Sequence, residues 1–385
     1  MKAPADAMNR TPGWHAKLIH VSGFLEFLNP VTQDWTAPAD VIVFQRNAIS
    51  QGAIDAIQYW QGMGKPVIID LDDAYHILPW SNPAHKFWIE RENGEALVWL
   101  ERALSIADAL TSPSRVILSD WSHVVPGYHI QNFARREWWE GLPPREEIKR
   151  RFGTQGKVVI GWGGSVSHYD SWWGSGIREA ARIITSRHPE VMWMICGNDP
   201  RIADQLPVPR EQKMAVRGVP PQDWPKIVRG FDIGVAPLFG PYDQRRSWIK
   251  GLEYLLGGVP WIGTRGEPYR DFEGLGILIR NSVEEWVSAL EFLLSHREQA
   301  QRDAEEKREF ASQWFIDQQL GRYEKVYQEI KQRFQAKRGR LPGLFYINWV
   351  PEPGRDPEHA ITIATNPVGD LPKVSGYPRG SELAV

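Results

Sequence analysis

Three stretches of this chain carry side chains whose types and spacing suit chemistry. In Ile160-Gly-Trp-Gly-Gly-Ser-Val-Ser-His168 an apolar run ends in a glycine-rich turn. Glycines let the backbone approach a ligand closely and expose its N–H groups, and a helix start beyond such a turn favours an anion. Gly163, Gly164, Ser165, Ser167 and His168 are therefore candidates for holding a phosphate. The competing reading is a plain tight strand-to-helix turn. The spacing fits neither GxGxxG nor GxxxxGK[ST], so neither a dinucleotide fold nor a P-loop ATPase is indicated.

The second stretch runs from Arg246 to Pro260, where Arg246, Lys250 and Glu253 recur at spacings of four and three. On a helix these three share a face near its first turns. Cations there oppose the helix's own dipole, and a ligand with two phosphates would compensate them. A carboxylate at Glu253 can accept hydrogen bonds from ribose hydroxyls; a solvated charge pair is the alternative. The third stretch is Asp70, Asp72 and Asp73, placed where an apolar run ends. Three roles compete for it: a divalent cation on hard oxygen ligands, positioning or polarising an acceptor hydroxyl through Asp72 and Asp73, or capping of the loop toward Tyr75 and His76.

The elements that must position these residues alternate. Strands are predicted at 17–22, 39–45, 67–70 and 109–112, with helices over 52–61 and 95–107 between them. The runs are continuously apolar, as in a parallel sheet buried on both faces. Residues 140–156 are polar and punctuated by Pro and Gly, which marks a domain boundary. The pattern then restarts with strands at 157–161, 191–197, 232–236 and 259–263 and helices at 176–188, 223–229, 247–256 and 283–294. Two doubly wound units imply a cleft, with ligands at the carboxyl ends of strands. Residues 298–335 read as charged helix with Phe310, Trp314, Phe315, Leu320, Tyr323 and Tyr327 on one stripe. Residues 336–385 read as a Pro/Gly-rich irregular tail with two short strands, at 345–349 and 360–365.

Composition narrows the class. With 385 residues, 42% hydrophobic and 24% charged, the chain is long enough for two domains and ordinary for a globular protein. A net charge of −2 gives no global field toward nucleic acid or anionic lipid. The only cysteine, Cys196, cannot form an internal disulfide, and no apolar run is long enough to span a bilayer. The opening residues lack a signal-peptide stretch, so a cytoplasmic location is expected. The 19 Trp residues are unusual. Most should be core, while Trp80, Trp138-Trp139 and Trp172-Trp173, in predicted loops near the cleft, are candidates for stacking on a sugar or base.

Here the motifs join. Ile160–His168, the turn Arg217-Gly-Val-Pro-Pro-Gln-Asp-Trp-Pro225, Phe231–Leu238 and Arg246–Thr264 follow one another over about 140 residues. In order and spacing they resemble the donor-nucleotide domain of GT-B glycosyltransferases of the family 4 or group 1 kind. More weakly, Val41–Arg46, Val67–Asp73, Ala107–Ser112 and His129–Trp138 resemble the acceptor domain of the same group. The resemblance implies an α/β protein of two Rossmann-like domains facing a cleft. These would be an acceptor-side unit over 1–140 and a nucleotide-sugar unit over 154–297, followed by crossover helices over 298–335 and the tail. It implies glycosyl transfer from a UDP- or GDP-sugar to an acceptor hydroxyl, with retention at the anomeric carbon, no prosthetic group and no metal. Gly163, Gly164, Ser165, His168, Arg246 and Lys250 would hold the diphosphate, Glu253 the ribose, and Arg217 and Val219 would lie beside the base.

Many family members carry a glutamate eight residues before the second one; here that position is Arg245. The local pattern is similar instead to a subgroup with a K-S-x-x-K-x-x-E form, with Arg246 in place of the first lysine. The departure leaves open a sugar-nucleotide epimerase or a non-catalytic sugar-nucleotide-binding protein. The acceptor class (glycan, small molecule, protein, lipid-linked glycan or hydroxymethylated DNA base) is not specified by any motif.

Overall fold

The computed structural model describes residues 2–18, 39–339, 345–348, 362–365 and 374–375. The strand expected at 17–22 and His20 lie largely outside them. Apolar runs bounded by breakers become strands. β1 (Ile42–Gln45), β2 (Val67–Asp70), β3 (Ala109–Ser112) and β4 (Gly127–His129) form one parallel sheet in the order β1-β2-β3-β4. The helix Gln51–Gly62 starts at Ser50, whose hydroxyl accepts from the Ala53 N–H at 3.2 Å, and buries Ala53, Ala56, Ile57 and Trp60. That apolar stripe packs with Ile69 and Leu110.

The second sheet contains β5 (Val158–Gly163), β6 (Val191–Gly197), β7 (Lys213–Arg217), β8 (Ile233–Ala236), β9 (Trp261–Thr264) and β10 (Ile277–Ile279). Its order is β10-β9-β8-β5-β6-β7, all parallel. Counted from its own first strand this is 3-2-1-4-5-6, the Rossmann order, and the chain reverses direction between β5 and β8. All six residues of β5 are buried. The fold is therefore α/β with two Rossmann-like sheets, as expected.

Between the sheets, residues read as a linker contain the helix Arg145–Arg151. Its Lys149 ammonium donates to Asp232 at 2.8 Å, and the same carboxylate accepts from the Val159 N–H at 2.7 Å. After the second sheet the chain runs through the helix Arg297–Ala311, two short turns and the helix Leu320–Gly339. Ile330 of that last helix is 1% exposed against Ile68 and Ala109, so the chain crosses back to the first sheet. The single aromatic stripe expected here is corrected. The helix breaks at 312–319, leaving Phe310 54% exposed while Trp314, Phe315 and Tyr323 are buried. Among the described tail residues, Phe345–Asn348, Thr362–Thr365 and Val374–Ser375 form an antiparallel sheet (β11-β12-β13).

The loop placement expected for Trp138-Trp139 and Trp172-Trp173 is corrected, whereas Trp80 does lie in a turn. Trp172 lies on the helix Tyr169–Gly174 and is fully buried against Trp162 and Trp193, because the segment after the glycine turn coils instead of looping. Trp138 and Trp139 sit on the helix Arg136–Trp139, with Trp139 buried. Trp80 is exposed at 85%.

Candidate functional site

The glycine-rich turn leaves β5 at the reversal point of the second sheet, where open α/β sheets bind ligands. Three strand ends meet there. The Gly164 N–H donates to the Cys196 carbonyl at 2.9 Å, and the Gly218 N–H to the Gly197 carbonyl at 3.1 Å. A Cβ on Gly197 would lie 2.5 Å from the Gly164 carbonyl oxygen, so these turns are stacked backbone on backbone. Arg217, exposed at the end of β7, and the half-buried Val219 are thus brought to the same edge as Gly164.

Gly163 and Gly164 do different things. A Cβ on Gly163 would overlap the Trp224 ring, so its missing side chain is space for that indole. A Cβ on Gly164 would stand 2.8 Å from the Trp162 ring and 3.0 Å from the Lys250 ammonium, so this glycine lets the turn close over that indole beside the cation. Replacing Gly163 by alanine is expected to cost about 1–3 kcal/mol through overpacking, read as a lower denaturant midpoint. Most of that loss should return in the Gly163→Ala/Trp224→Leu double variant, and equal losses in both would refute the packing conflict.

The cations arrive from the segment after β8. Lys250 lies in the first turn of the helix Ile249–Leu256, only 9% exposed. Its ammonium donates to the Gly163 carbonyl and stands 5.0 Å from the Trp162 ring centroid. Arg246 is not on that helix, which corrects the shared helix face expected from spacing. The short helix Gly240–Asp243 precedes it, and the Arg246 N–H closes a turn on the Asp243 carbonyl. Its guanidinium donates to Asp243 at 2.6 Å and to the Ser167 carbonyl at 2.7 Å. Asp243, 2% exposed, also accepts from the Ser171 hydroxyl at 2.5 Å and the Phe239 N–H at 2.7 Å. Sequence reasoning missed Asp243, although a carboxylate three residues before a candidate arginine was the available signal.

His168 is buried edge-on to Trp162, with ring centroids 5.6 Å apart, and its Nδ1 has no hydrogen-bond partner among the described residues. Burial, reinforced by Arg246 and Lys250, holds its pKa well below the usual imidazole range, so it is neutral near pH 7. Ser165 is exposed, and its hydroxyl lies 2.6 Å from that of Ser167. Burial pushes the Lys250 ammonium down to about 8; Glu253 opposes that shift and Arg246 adds to it. Burial works against the Arg246 charge, yet Asp243, Tyr242 and Asp73 hold its pKa above the ordinary range. Burial raises the Glu253 carboxyl, while Lys250 and a hydrogen bond from Trp224 oppose the rise. The edge therefore presents the buried Lys250 ammonium, the half-buried Arg246 guanidinium and a neutral imidazole with an unpartnered nitrogen. Such a set suits an anion of high charge density.

The first sheet reaches the same place through Asp73. The Tyr242 hydroxyl donates to Asp73 at 2.8 Å and accepts from the Asn82 amide at 3.1 Å, and the Arg246 guanidinium lies 4.7 Å from the Tyr242 ring centroid. Asp72 points elsewhere, accepting from the Tyr75 hydroxyl at 2.9 Å. Among the described residues no three His, Cys, Asp or Glu side chains converge as a metal site. Arg245, standing where the family pattern has its first glutamate, pairs with Asp120 at 2.6 and 2.9 Å; His76 joins the same carboxylate at 3.0 Å. Tyr242 and Arg245 thus tie the two sheets together. Neither link was legible before the fold brought together residues more than a hundred positions apart.

Neither a family model nor a curated protein matches the sequence. Solved structures do. HepE from Anabaena in complex with UDP-glucose aligns at TM-score 0.52 and 14% identity over 85% of this chain and 86% of its own. Sucrose-phosphate synthase from Thermosynechococcus elongatus aligns at 0.54 and 14% over 83% and 82%. WaaG, a glycosyltransferase involved in lipopolysaccharide biosynthesis, aligns at 0.53 and 15% over 82% and 85%. These similarities span both sheets and define the fold as GT-B. No helix among the described residues is long and apolar enough to cross a membrane.

Proposed function

We propose that this chain is a glycosyltransferase that moves a sugar from a nucleotide-diphosphate donor, a UDP- or GDP-sugar, to an acceptor hydroxyl. The observation that carries the reading is the convergence of Gly164, Ser167, His168, Arg246 and Lys250 at the carboxyl end of β5. A neighbour of the same fold was solved with UDP-glucose, which supports a nucleotide-sugar as co-substrate. In this reading 154–297 forms the donor-side unit and 1–140 the acceptor-side unit, joined by the crossover helices over 298–335.

The difficult step is departure of the nucleoside diphosphate, during which negative charge grows on its β-phosphate. Arg246 and Lys250, already fixed and largely shielded from water, stabilise that charge without reorganising. His168 donates a ring N–H to a phosphate oxygen, and the Ser165 hydroxyl completes the cradle. Glu253 accepts from the ribose hydroxyls, and Arg217 and Val219 border the base. The leaving phosphate itself is placed to take the acceptor proton, with retention at the anomeric carbon, so the mechanism asks for no strong protein base. Asp72 orients the acceptor hydroxyl, and Asp73, held by Tyr242, keeps the acceptor side against the donor side.

Calorimetry with UDP and GDP, followed by release of nucleoside diphosphate from a donor panel with and without added acceptors, tests the reading. Binding of one nucleotide and acceptor-dependent release are expected; absence of binding by both would refute it. Glu253→Gln is expected to weaken nucleotide binding by about 10- to 100-fold, the worth of a charged hydrogen bond. An unchanged Kd removes its ribose role.

A further inference from the structure

A cavity of about 250 Å³ lies at the carboxyl ends of β1–β3 beside the crossover helix. Asp70, Asp72, Thr111 and Gln131 contribute polar groups to its lining, and Tyr323 and Tyr327 of the crossover helix line it together with apolar residues such as Ile130 and Phe133. Ile249, the residue before Lys250, reaches it from the donor side. Ala3 and Pro4 of the helix Lys2–Asn9 close it from outside, and that helix is fastened by an Asp6–Arg135 ion pair at 2.7 Å. Gln131 is 6% exposed, yet its Oε1 has no hydrogen-bond partner among the described residues. A buried amide oxygen left unpaired costs about 1–3 kcal/mol, so the site is poised for a ligand hydroxyl or amide.

We infer that this cavity binds one sugar-like ring, and that the acceptor therefore presents a single small polyol unit rather than an extended or apolar chain. The inference rests on the transferase reading and supplies the acceptor class it lacks. Size and lining both point this way. The volume falls below the ~300–1,000 Å³ of sites for drug-sized ligands. Its lining combines the polar groups of Asp70, Asp72, Thr111 and Gln131 with aromatic and aliphatic residues that can meet the C–H side of a ring. Asp70 accepts from the Thr111 hydroxyl at 2.7 Å, and burial raises its pKa to about 6 against that bond, so near neutrality it is mainly an ionised acceptor for a ligand hydroxyl.

The test uses the full chain saturated with UDP and probes it by saturation-transfer NMR with glucose, galactose, mannose and N-acetylglucosamine. At least one sugar is expected to give a signal. Gln131→Leu should weaken it about tenfold while leaving UDP affinity unchanged. Ala3→Trp, which fills the cavity from its outer wall without touching the strand ends, should abolish the signal with UDP affinity again unchanged; it keeps the test informative if Gln131→Leu unfolds. UDP binding with no signal from any sugar overturns the inference. A signal that survives both variants overturns it too, by placing the sugar elsewhere. Where UDP does not bind, the same measurement is made with GDP; failure of both to bind refutes the transferase reading instead, and a sugar signal sensitive to both variants would then still support the pocket.

Discussion

Lys250→Ala is expected to lower kcat/KM for the nucleotide-sugar donor by about 10²–10³-fold, the usual consequence of removing one preorganised donor to a developing charge. The loss should fall mainly on kcat, because the charge Lys250 answers grows in the transition state. A change within about threefold would mean that no diphosphate sits against this ammonium. Stability should move the other way. Lys250 is a buried cation with its pKa pushed down to about 8 by burial, so the folded state gives up its proton earlier than the unfolded chain, whose lysine holds it to 10.5. Between those values the unfolded state binds more protons, and this group's contribution to stability rises with pH. Below pH 8 the fold bears the cost of keeping the charge buried. Lys250→Met, which removes the charge and keeps the volume, should therefore leave the melting temperature at pH 7 unchanged or higher while activity collapses. The same group sets a pH dependence for the ligand. A diphosphate raises the Lys250 pKa, so binding takes up a proton, and affinity for UDP falls as pH rises through 8. Calorimetry in buffers of different ionisation enthalpy reads that uptake directly, and Lys250→Met should abolish it near pH 8.

Arg246→Ala carries the second large effect, and here function and stability fall together. The guanidinium holds the Ser167 carbonyl and neutralises Asp243, which is 2% exposed. Removing it leaves a buried carboxylate with only Ser171 and the Phe239 N–H for support, a loss of the kind that costs about 3–5 kcal/mol. Donor kcat/KM should fall by at least about 10²-fold. The two contributions separate in the Arg246→Ala/Asp243→Asn double variant, where stability returns because no charge is stranded and activity does not. Recovery of activity along with stability would make Arg246 a purely structural residue. Arg246→Lys should stay weak as well, because one ammonium cannot reach Asp243, the Ser167 carbonyl and a phosphate from a single position.

Much of this architecture follows from local pattern. Continuous apolar runs such as Val191–Gly197, separated by amphipathic stretches, dictate buried parallel strands with helices between them, because only that arrangement covers both faces. That the glycine turn at 161–164 and the basic residues at 246 and 250 belong to the same edge is suggested by residue type and order, and the structure brings Lys250 to the Gly163 carbonyl and Arg246 to the Ser167 carbonyl. Spacing misled where it assumed a continuous helix. Arg246 lies outside the helix that holds Lys250, because Asp243 captures it in a turn first. The aromatic stripe over 310–327 is likewise interrupted at 312–319.

The amino-acid order by itself determined the two α/β units, since periodicity and turn chemistry act over a few residues, and it supplied the side chains that the proposed reading sets against a diphosphate. Tertiary structure decided what Gly163 makes room for, that Asp73 meets Tyr242 while Asp72 turns toward Tyr75, and that Arg245 is taken by Asp120. Those contacts join residues from 61 to 169 positions apart or turn a neighbouring side chain the other way, and the sequence pattern encodes which face is buried but not which partner lies across it.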